Sequence, residues 1–167
     1  RRAQVDMGGP YSPADTVCPP PAGSAYAAAQ GIADLAGGRC TAQSGTIWYD
    51  TCLPQIPDAQ IQTAAETAPA MVMQLQTGAV DFVCTDLPTA TAAAANDSDL
   101  IVLNFAGTDG DFQFASEEER AENVNIGMSV AKGSTELLDA INAVLDGMTA
   151  DDFNTLMDQA IAVQPEV

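Results

Sequence analysis

The chain has 167 residues, 47% of them hydrophobic, which suffices for one domain with a buried core and excludes a disordered protein. Lys and Arg number 5 against 23 Asp and Glu, so the formal net charge is −18. Because nucleic acids and anionic membrane surfaces are bound through Lys and Arg, this balance excludes both as partners, and no apolar run approaches the ~20 residues of a membrane span.

Residues 1–23 are rich in Pro and Gly, and the pattern predicts an irregular, hinge-like N-terminal segment. Ser24 is suited to cap a helix over residues 25–36, which Gly37 and Gly38 would end. Strands and helices then alternate in the following predicted order: a strand over 39–43, a helix from 47, a strand over 60–64, a helix over 66–78, a strand over 79–86, a helix over 88–96 and a strand over 99–105.

This alternation predicts an α/β fold with an open, mostly parallel sheet and helices on both faces. We assign residues 24–123 to this lobe, including a polar loop at its end. A last strand over residues 124–131 and two amphipathic helices, which begin after Ser134 and Thr149, are expected to pack on or beside the lobe.

The four cysteines form no C-x-x-C pair, and the chain contains no histidine. A zinc site is therefore not expected, and no cofactor is predicted. The acidic loop from Asp109 does not match a calcium loop either, because its sixth position is Phe114 and its twelfth is Arg120. Cys40 and Cys52 would form a disulfide in an exported protein, and buried free thiols are the equal alternative.

Two features lie at predicted carboxyl ends of strands, where open parallel sheets bind ligands. The first is the turn of Ser44, Gly45 and Thr46, which aims backbone N–H groups and a helix start at one point and so suits an anion. Gly45 would let a ligand approach the backbone closely. The structural alternative is that Ser44 or Thr46 only caps the following helix.

The second feature is Asp86, which directly follows the strand over residues 79–86 and precedes Pro88. Its carboxylate would hold an ammonium group, and the structural alternative is an N-cap for the next helix. An anion site and a carboxylate on neighbouring strand ends together suit the two charges of an amino acid.

Catalytic constellations are missing from the sequence. Without histidine, neither a Ser-His-Asp nor a Cys-His nucleophile can form, and none of the many carboxylates is singled out for acid–base work. We therefore predict a protein that is not an enzyme and has no catalytic residues.

Four stretches resemble, in order and spacing, the extracellular solute-binding proteins of amino-acid ABC importers, which have the type II periplasmic-binding-protein fold. These stretches are "RRAQVDMGGPYSPA", "GIADLAGGRCTAQSGT", "LQTGAVDFVCTDLPTA" and "NIGMSVAKGSTELLDAINAVL". The resemblance covers nearly the whole chain, but roughly a hundred residues that form most of the family's first lobe have no counterpart before Arg1. The chain thus resembles the second lobe plus the C-terminal segment, and Pro19, Pro20 and Pro21 stand where the family has an apolar strand.

Residue by residue, the resemblance implies a ligand site. Arg1 matches the arginine that pairs with the ligand's α-carboxylate, and Thr46 with the backbone around Ile47 matches the second carboxylate contact. Gln43 matches a position that touches the ligand side chain or carboxylate. Asp86 matches the carboxylate that accepts the α-ammonium group.

The resemblance also implies an extracellular or periplasmic protein that binds an amino acid and delivers it to an ABC permease. One alternative is a single-lobe interaction module that self-associates, as a homo-oligomer, or pairs with a separate first lobe through apolar helix faces. A remoter alternative is a small-acid dehydratase-like enzyme on the same fold.

Overall fold

A computed structural model describes residues 4–12, 15–116, 119–120 and 124–163. Arg1 lies outside the described residues. The chain forms two compact units: the α/β unit is residues 15–116, and the terminal unit joins residues 4–12 to the described residues between 119 and 163. In the described part of the chain, no helix is long and apolar enough to cross a membrane.

Seven strands are described: β1 Val5–Ser12, β2 Thr16–Cys18, β3 Arg39–Ala42, β4 Gln60–Ile61, β5 Phe82–Asp86, β6 Leu103–Asn104 and β7 Ile126–Ala131. The α-helices with described bounds are α1 Ala68–Gln76, α2 Leu87–Asn96, α3 Thr135–Leu145 and α4 Ala150–Val163. Shorter helical segments are the 3-10 helix Ile32–Leu35, the π-helical turn Trp48–Cys52 and the 3-10 helix Leu53–Gln55.

The sheet of the α/β unit has the strand order β4-β3-β5-β2-β6. Strand β3 runs parallel to β4 and to β5, whereas β2 is antiparallel to both β5 and β6. Strand β2 is thus the one reversed strand of this sheet, and the predicted α/β fold with a mostly parallel sheet is confirmed.

Two apolar layers cover the sheet. One face buries the four cysteines with Leu35, Leu53, Phe82 and Phe112. On the other face a second cluster is built around Met71, Leu75, Val80 and Val83. Helix α1 supplies Met71 and Leu75 and lies within the predicted range of residues 66–78. The Thr67 hydroxyl accepts from the Ala70 N–H at its start, and Gly78 has a φ of 70° beyond its end.

The segment over residues 1–23 is not irregular throughout, because it contains β1 and β2. The prolines after β2 lack N–H groups, yet their carbonyl oxygens continue the pairing on both sides of the strand. Pro19 accepts from the Val83 N–H at 3.3 Å, and Pro20 accepts from the Ile101 N–H at 3.1 Å. The pairing with both neighbouring strands therefore continues beyond β2, since the prolines contribute only acceptors to it and no N–H group is needed.

The helix predicted over residues 25–36 is wrong. Consecutive turns occupy residues 22–28, and only Ile32–Leu35 is helical. The Ser24 hydroxyl accepts from the Tyr26 N–H at 3.2 Å, which stabilises a turn instead of a helix. Gly31 packs so closely against Gly110 that a Cβ on Gly31 would lie 2.7 Å from the Gly110 Cα, and this tertiary contact overrides the local helix preference.

In the terminal unit, β1 and β7 form an antiparallel two-stranded ribbon. Helix α3 packs on it where Gly8 leaves room, because a Cβ there would lie 2.9 Å from the Leu138 Cδ1. The Lys132 ammonium lies 3.2 Å from the Asp6 carboxylate. The last strand and the two C-terminal helices occupy the stretches of the chain that the sequence predicts for them.

Candidate functional site

The chain turns sharply after β3, at residues 43–47. Gly45 has a φ of 71°, in the left-handed region that glycine adopts at little cost. The Thr46 hydroxyl donates to the Gln43 carbonyl at 2.7 Å, and no side chain caps the π-helical turn that follows. The prediction that Ser44 or Thr46 caps this helix is therefore wrong, because the Thr46 hydroxyl is used as a donor across the turn.

The start of this helical segment presents unused backbone donors. The Ser44 N–H donates to the Ala65 carbonyl at 2.8 Å. Among the described residues, nothing accepts from the N–H groups of Gly45, Thr46 or Ile47. These N–H groups lie in an exposed to half-buried turn, so an anion can reach them.

Asp86 is the N-cap of α2. One of its carboxylate oxygens accepts from the Thr89 N–H at 2.8 Å, and the other accepts from the Thr89 hydroxyl at 3.0 Å. Asp86 thus caps the next helix, which is the structural alternative that the sequence offers for this residue. The oxygen that accepts from the Thr89 hydroxyl also accepts from the Thr85 hydroxyl at 3.5 Å, whereas the oxygen that accepts from the Thr89 N–H keeps one lone pair. The half-buried side chain is thus still able to accept from a further donor.

The turn and Asp86 lie at the same edge of the sheet. Strands β3 and β5 are parallel neighbours with Ala42 paired to Cys84, so the turn after β3 and Asp86 at the end of β5 follow this pair on adjacent strands. Gln43 lies at the same edge, where its side-chain amide donates to the Glu66 carbonyl at 3.4 Å. A group at this edge meets backbone donors from one strand end and a carboxylate from the next.

Thr16 is a residue of this edge that the sequence analysis missed. It is paired with Asp86 on β2, only 1% of its surface is exposed, and its hydroxyl has no hydrogen-bond partner. Because Thr16 and Asp86 are directly paired on antiparallel strands, their side chains lie on the same face of the sheet. Only the strand pairing reveals this residue, since Asp-Thr in a Pro-rich segment carries no signal of its own.

Arg39, the one basic residue within residues 15–116, lies at the opposite end of β3. Its guanidinium is 2.6 Å from the Asp81 carboxylate. Hydrogen bonds from Arg39 lower the pKa of Asp81, and the same pairing raises the pKa of Arg39. Arg39 is thus committed to an ion pair away from the turn, so an anion at the turn would be met within this unit by backbone donors.

The four cysteines are free and buried, so the alternative of a Cys40–Cys52 disulfide is not realised. Both residues have 0% exposure, in agreement with the other alternative of buried free thiols. Within the described ranges, no group of three or more side chains is arranged to hold a metal ion.

Comparison with known proteins gives structural neighbours only. No family model matches the chain, and no curated protein does. The chain is similar to the amino acid ABC transporter substrate-binding protein AbpA from Streptococcus pneumoniae bound to L-arginine, with a TM-score of 0.71 and 20% identity over 97% of this chain and 63% of AbpA. It is similar to holo ArgBP from T. maritima, with a TM-score of 0.65 and 24% identity over 95% of this chain and 63% of ArgBP.

A third neighbour is the ancestral amino acid-binding protein AncCDT-1, a precursor of cyclohexadienyl dehydratase. Its TM-score is 0.69, with 23% identity over 95% of this chain and 63% of AncCDT-1. The chain thus spans less than two thirds of the length of these neighbours. At this identity the likeness shows the fold, which is part of the periplasmic-binding-protein-like α/β fold.

Proposed function

We propose that this chain binds the charged ends of an amino acid, as part of the substrate-binding component of an ABC importer in the cell envelope. The observation that carries the proposal is the meeting of unused backbone donors and a carboxylate at one sheet edge. The neighbours support it, since AbpA is an amino acid ABC transporter substrate-binding protein, ArgBP has been solved bound to arginine, and AncCDT-1 is an amino acid-binding protein. The partner of the loaded protein would be the importer's permease.

The carboxylate of the ligand would lie at the turn. The N–H groups of Gly45, Thr46 and Ile47 would donate to its oxygens, and the turn's position at the start of a helical segment adds a favourable partial positive charge. Ser44 and Gln43 flank this position and would contact the ligand from the side. Arg1 is proposed as a further carboxylate contact on the resemblance alone.

The ammonium group of the ligand would lie at Asp86. Its two carboxylate oxygens are held in place by Thr89, so the group is oriented before a ligand arrives. The unpartnered Thr16 hydroxyl lies beside it and would donate to Asp86 or accept from the ammonium. A fixed carboxylate with a neighbouring hydroxyl favours a primary ammonium group over an uncharged donor.

The α/β unit by itself would bind weakly. One sheet edge leaves a ligand half solvated, and charge pairs in contact with water contribute only about 0–1 kcal/mol each, which corresponds to millimolar affinity or weaker. Closure over the part of the fold that the neighbours have and this chain does not span would bury the ligand and raise the affinity. The proposed role is capture rather than catalysis, because the site offers no acid–base pair.

The charge of the chain favours cationic or neutral amino acids over acidic ones. A net charge of −18 raises the local concentration of cations and repels anions at low ionic strength. L-Arginine, the ligand in AbpA, is accordingly the first probe, and L-glutamate is the contrasting one.

The test is titration of the chain with both amino acids, monitored by NMR chemical shifts of backbone amides. We expect L-arginine to shift the amides of residues 44–47 with a millimolar Kd and L-glutamate to shift them less. Asp86→Asn keeps the cap, because Asn is as good an N-cap as Asp, but it removes the negative charge. The amide shift changes that L-arginine causes should therefore fall at least fivefold. Asp97→Asn removes one charge at the other end of α2 and should bind like the wild type.

Equal binding by Asp86→Asn and Asp97→Asn would contradict the proposed role of Asp86. Shifts confined to residues far from the turn would contradict the proposal as a whole.

A second candidate function is docking of another polypeptide on the terminal unit. Helix α3 exposes apolar side chains there: Leu137 is 56% and Val144 is 64% exposed. A cavity of about 280 Å³ beside them is lined by Met128, Ala140, Ile141, Val144 and Leu145. We propose that the occupant is a polypeptide equivalent to the part of the neighbours that this chain does not span.

The charge of the chain argues against the other occupant, a second copy, because two copies carrying −18 each repel one another. Light scattering at low ionic strength should therefore show a monomer, while an apolar dye should bind to it. Val144→Asp should reduce dye binding, and Val163→Asp, at an 81% exposed position on α4, is the control. A dimer that Val144→Asp dissociates would show self-association instead.

A further inference from the structure

The four free cysteines lie together on one face of the sheet in the α/β unit. Cys18 is in β2, Cys40 in β3 and Cys84 in β5, and Cys52 covers them from the π-helical turn. All four are fully buried in one apolar cluster. The proposed ligand site uses none of their sulfur atoms, so it does not explain why the four cysteines lie close together.

Strand register places Cys18 directly opposite Cys84. Strands β2 and β5 are antiparallel with Thr16 paired to Asp86 and Val17 to Thr85, and the next pair in this register is Cys18 with Cys84. The same register continues beyond this pair, because the Val83 N–H donates to the Pro19 carbonyl at 3.3 Å.

The Cys18–Cys84 position is one without ladder hydrogen bonds. The Leu87 N–H donates to the Asp15 carbonyl, as the Val83 N–H does to Pro19, so the hydrogen-bonded positions of this pair of strands alternate with Cys18–Cys84. At such positions the Cα atoms are about 4.5 Å apart, which lies within the roughly 4.4–6.8 Å that a disulfide spans. The backbone therefore already has a separation that a disulfide requires.

The sulfur atoms are also in contact. Besides burial, which is the main cause, hydrogen bonds with Cys18 and Cys52 raise the pKa of Cys84 well above its usual value. Burial likewise raises the pKa of Cys40 to about 12. Thiols in this condition stay protonated and unreactive in the folded protein, so any oxidation must occur before the strands are covered.

We propose that Cys18 and Cys84 form a disulfide when the chain folds in the presence of a small-molecule disulfide oxidant. One thiolate attacks the oxidant's disulfide and releases one thiol, and the second cysteine then attacks the mixed disulfide and releases the other. Two protein thiols are oxidised, and one oxidant disulfide is reduced to two thiols. The proposal does not depend on the ligand site or on the ligand.

The competing pairs are less favoured by the geometry. Cys52 also contacts Cys84, but it lies in a helical turn that no strand ladder holds at a fixed distance from β5. Cys40 and Cys84 lie on neighbouring strands, but the register pairs Cys40 with Phe82 and Ala42 with Cys84. Cys18 with Cys84 is thus the one pair among the four cysteines in which contact and a fixed backbone separation coincide.

The test is refolding of the wild-type chain in a mixture of reduced and oxidised glutathione, followed by unfolding, alkylation of remaining thiols and peptide mapping. We expect a mass lower by two hydrogens, a linked peptide containing residues 18 and 84, and alkylation of Cys40 and Cys52. Reduction should lower Tm by about 10 °C, since the bond closes a long loop.

Cys40→Ala is the matched control, because it removes another fully buried strand cysteine and should leave the linked peptide unchanged. A disulfide that includes Cys40 or Cys52, shown by the absence of alkylation at that residue, would overturn the pairing, and alkylation of all four thiols would overturn the disulfide itself. Both readouts come from the wild-type chain, so they do not require any variant to fold.

Discussion

The α/β unit and the terminal unit use similar elements but bury them differently. In the α/β unit, side chains such as Phe82, Leu35 and Leu53 have 0% exposure between a sheet and its covering segments. In the terminal unit, Val130 and Leu145 keep 9% exposure although they are among its best-buried apolar residues. An amphipathic pattern therefore predicts that a helix forms, but it does not say whether the apolar face is covered within the same chain.

The largest expected effect is that of Phe82→Ala in the α/β unit. The ring is fully buried and packs edge-on against Tyr26 at a centroid distance of 5.5 Å, so its removal leaves a cavity in a dense layer. We expect the free energy of unfolding to fall by about 3–5 kcal/mol, measured by urea denaturation. A loss below about 1 kcal/mol would show that this layer is loosely packed after all.

Leu145→Ala in the terminal unit should cost much less, on the order of 1 kcal/mol, because the side chain borders the apolar cavity and can be replaced partly by water. Hydrogen exchange should show the same contrast without any mutation, with faster exchange in β1 and β7 than in β3 and β5. Equal protection of the two pairs of strands would show that the two units do not differ in local stability.

Gly45→Ala tests folding and binding separately within the α/β unit. Gly45 and Gly78 have φ values of 71° and 70°, and a Cβ at either would meet no atom within 4 Å. Each replacement should therefore cost about 1–2 kcal/mol of stability, through the backbone alone. Only Gly45→Ala should also weaken arginine binding, since it strains the turn whose N–H groups are proposed to hold the carboxylate.

The smallest effect is the pH dependence of the Arg39–Asp81 pair. The pKa of Asp81 is lowered from its usual 3.8, chiefly by the Arg39 hydrogen bond, so its stabilisation is complete above that value and is lost as the pH falls below it. Since both side chains are partly exposed, Asp81→Asn should cost less than about 1 kcal/mol at pH 7 and almost nothing at pH 2. A loss that is the same at both pH values would indicate packing rather than charge.

In the terminal unit, Asp6 has the same sign of pKa shift, chiefly through the Gly133 N–H and then Lys132. Acid titration followed by NMR of both carboxylates would show whether the two units lose their ion pairs in the same pH range.

The sequence predicts the fold where local signals and tertiary packing agree. Pro69 marks the first turn of α1 and Gly78 follows its end, and the apolar run of β5 matches its burial. The helix over residues 25–36 is wrong because the contact between Gly31 and Gly110, far apart in the chain, decides the conformation there. No local pattern reports such a contact.

The candidate site was predictable in position but not in detail. Strand ends pointed to the turn and to Asp86, and the structure places both at one edge of the sheet. The orphan Thr16 hydroxyl and the pairing of Cys18 with Cys84 both depend on strand order and register. These properties are set by β2 inserting antiparallel between β5 and β6, which its short, Pro-flanked sequence does not indicate.

The location of Arg39 also protects the α/β unit from trypsin-like proteases. Within residues 15–116 the enzyme has a single cleavable bond, after Arg39, and that bond lies inside β3. A protease must draw several extended residues into its active site, so cutting there requires that the centre of the sheet first come apart. The rate of cleavage after Arg39 would thus measure how often this sheet opens, without any label.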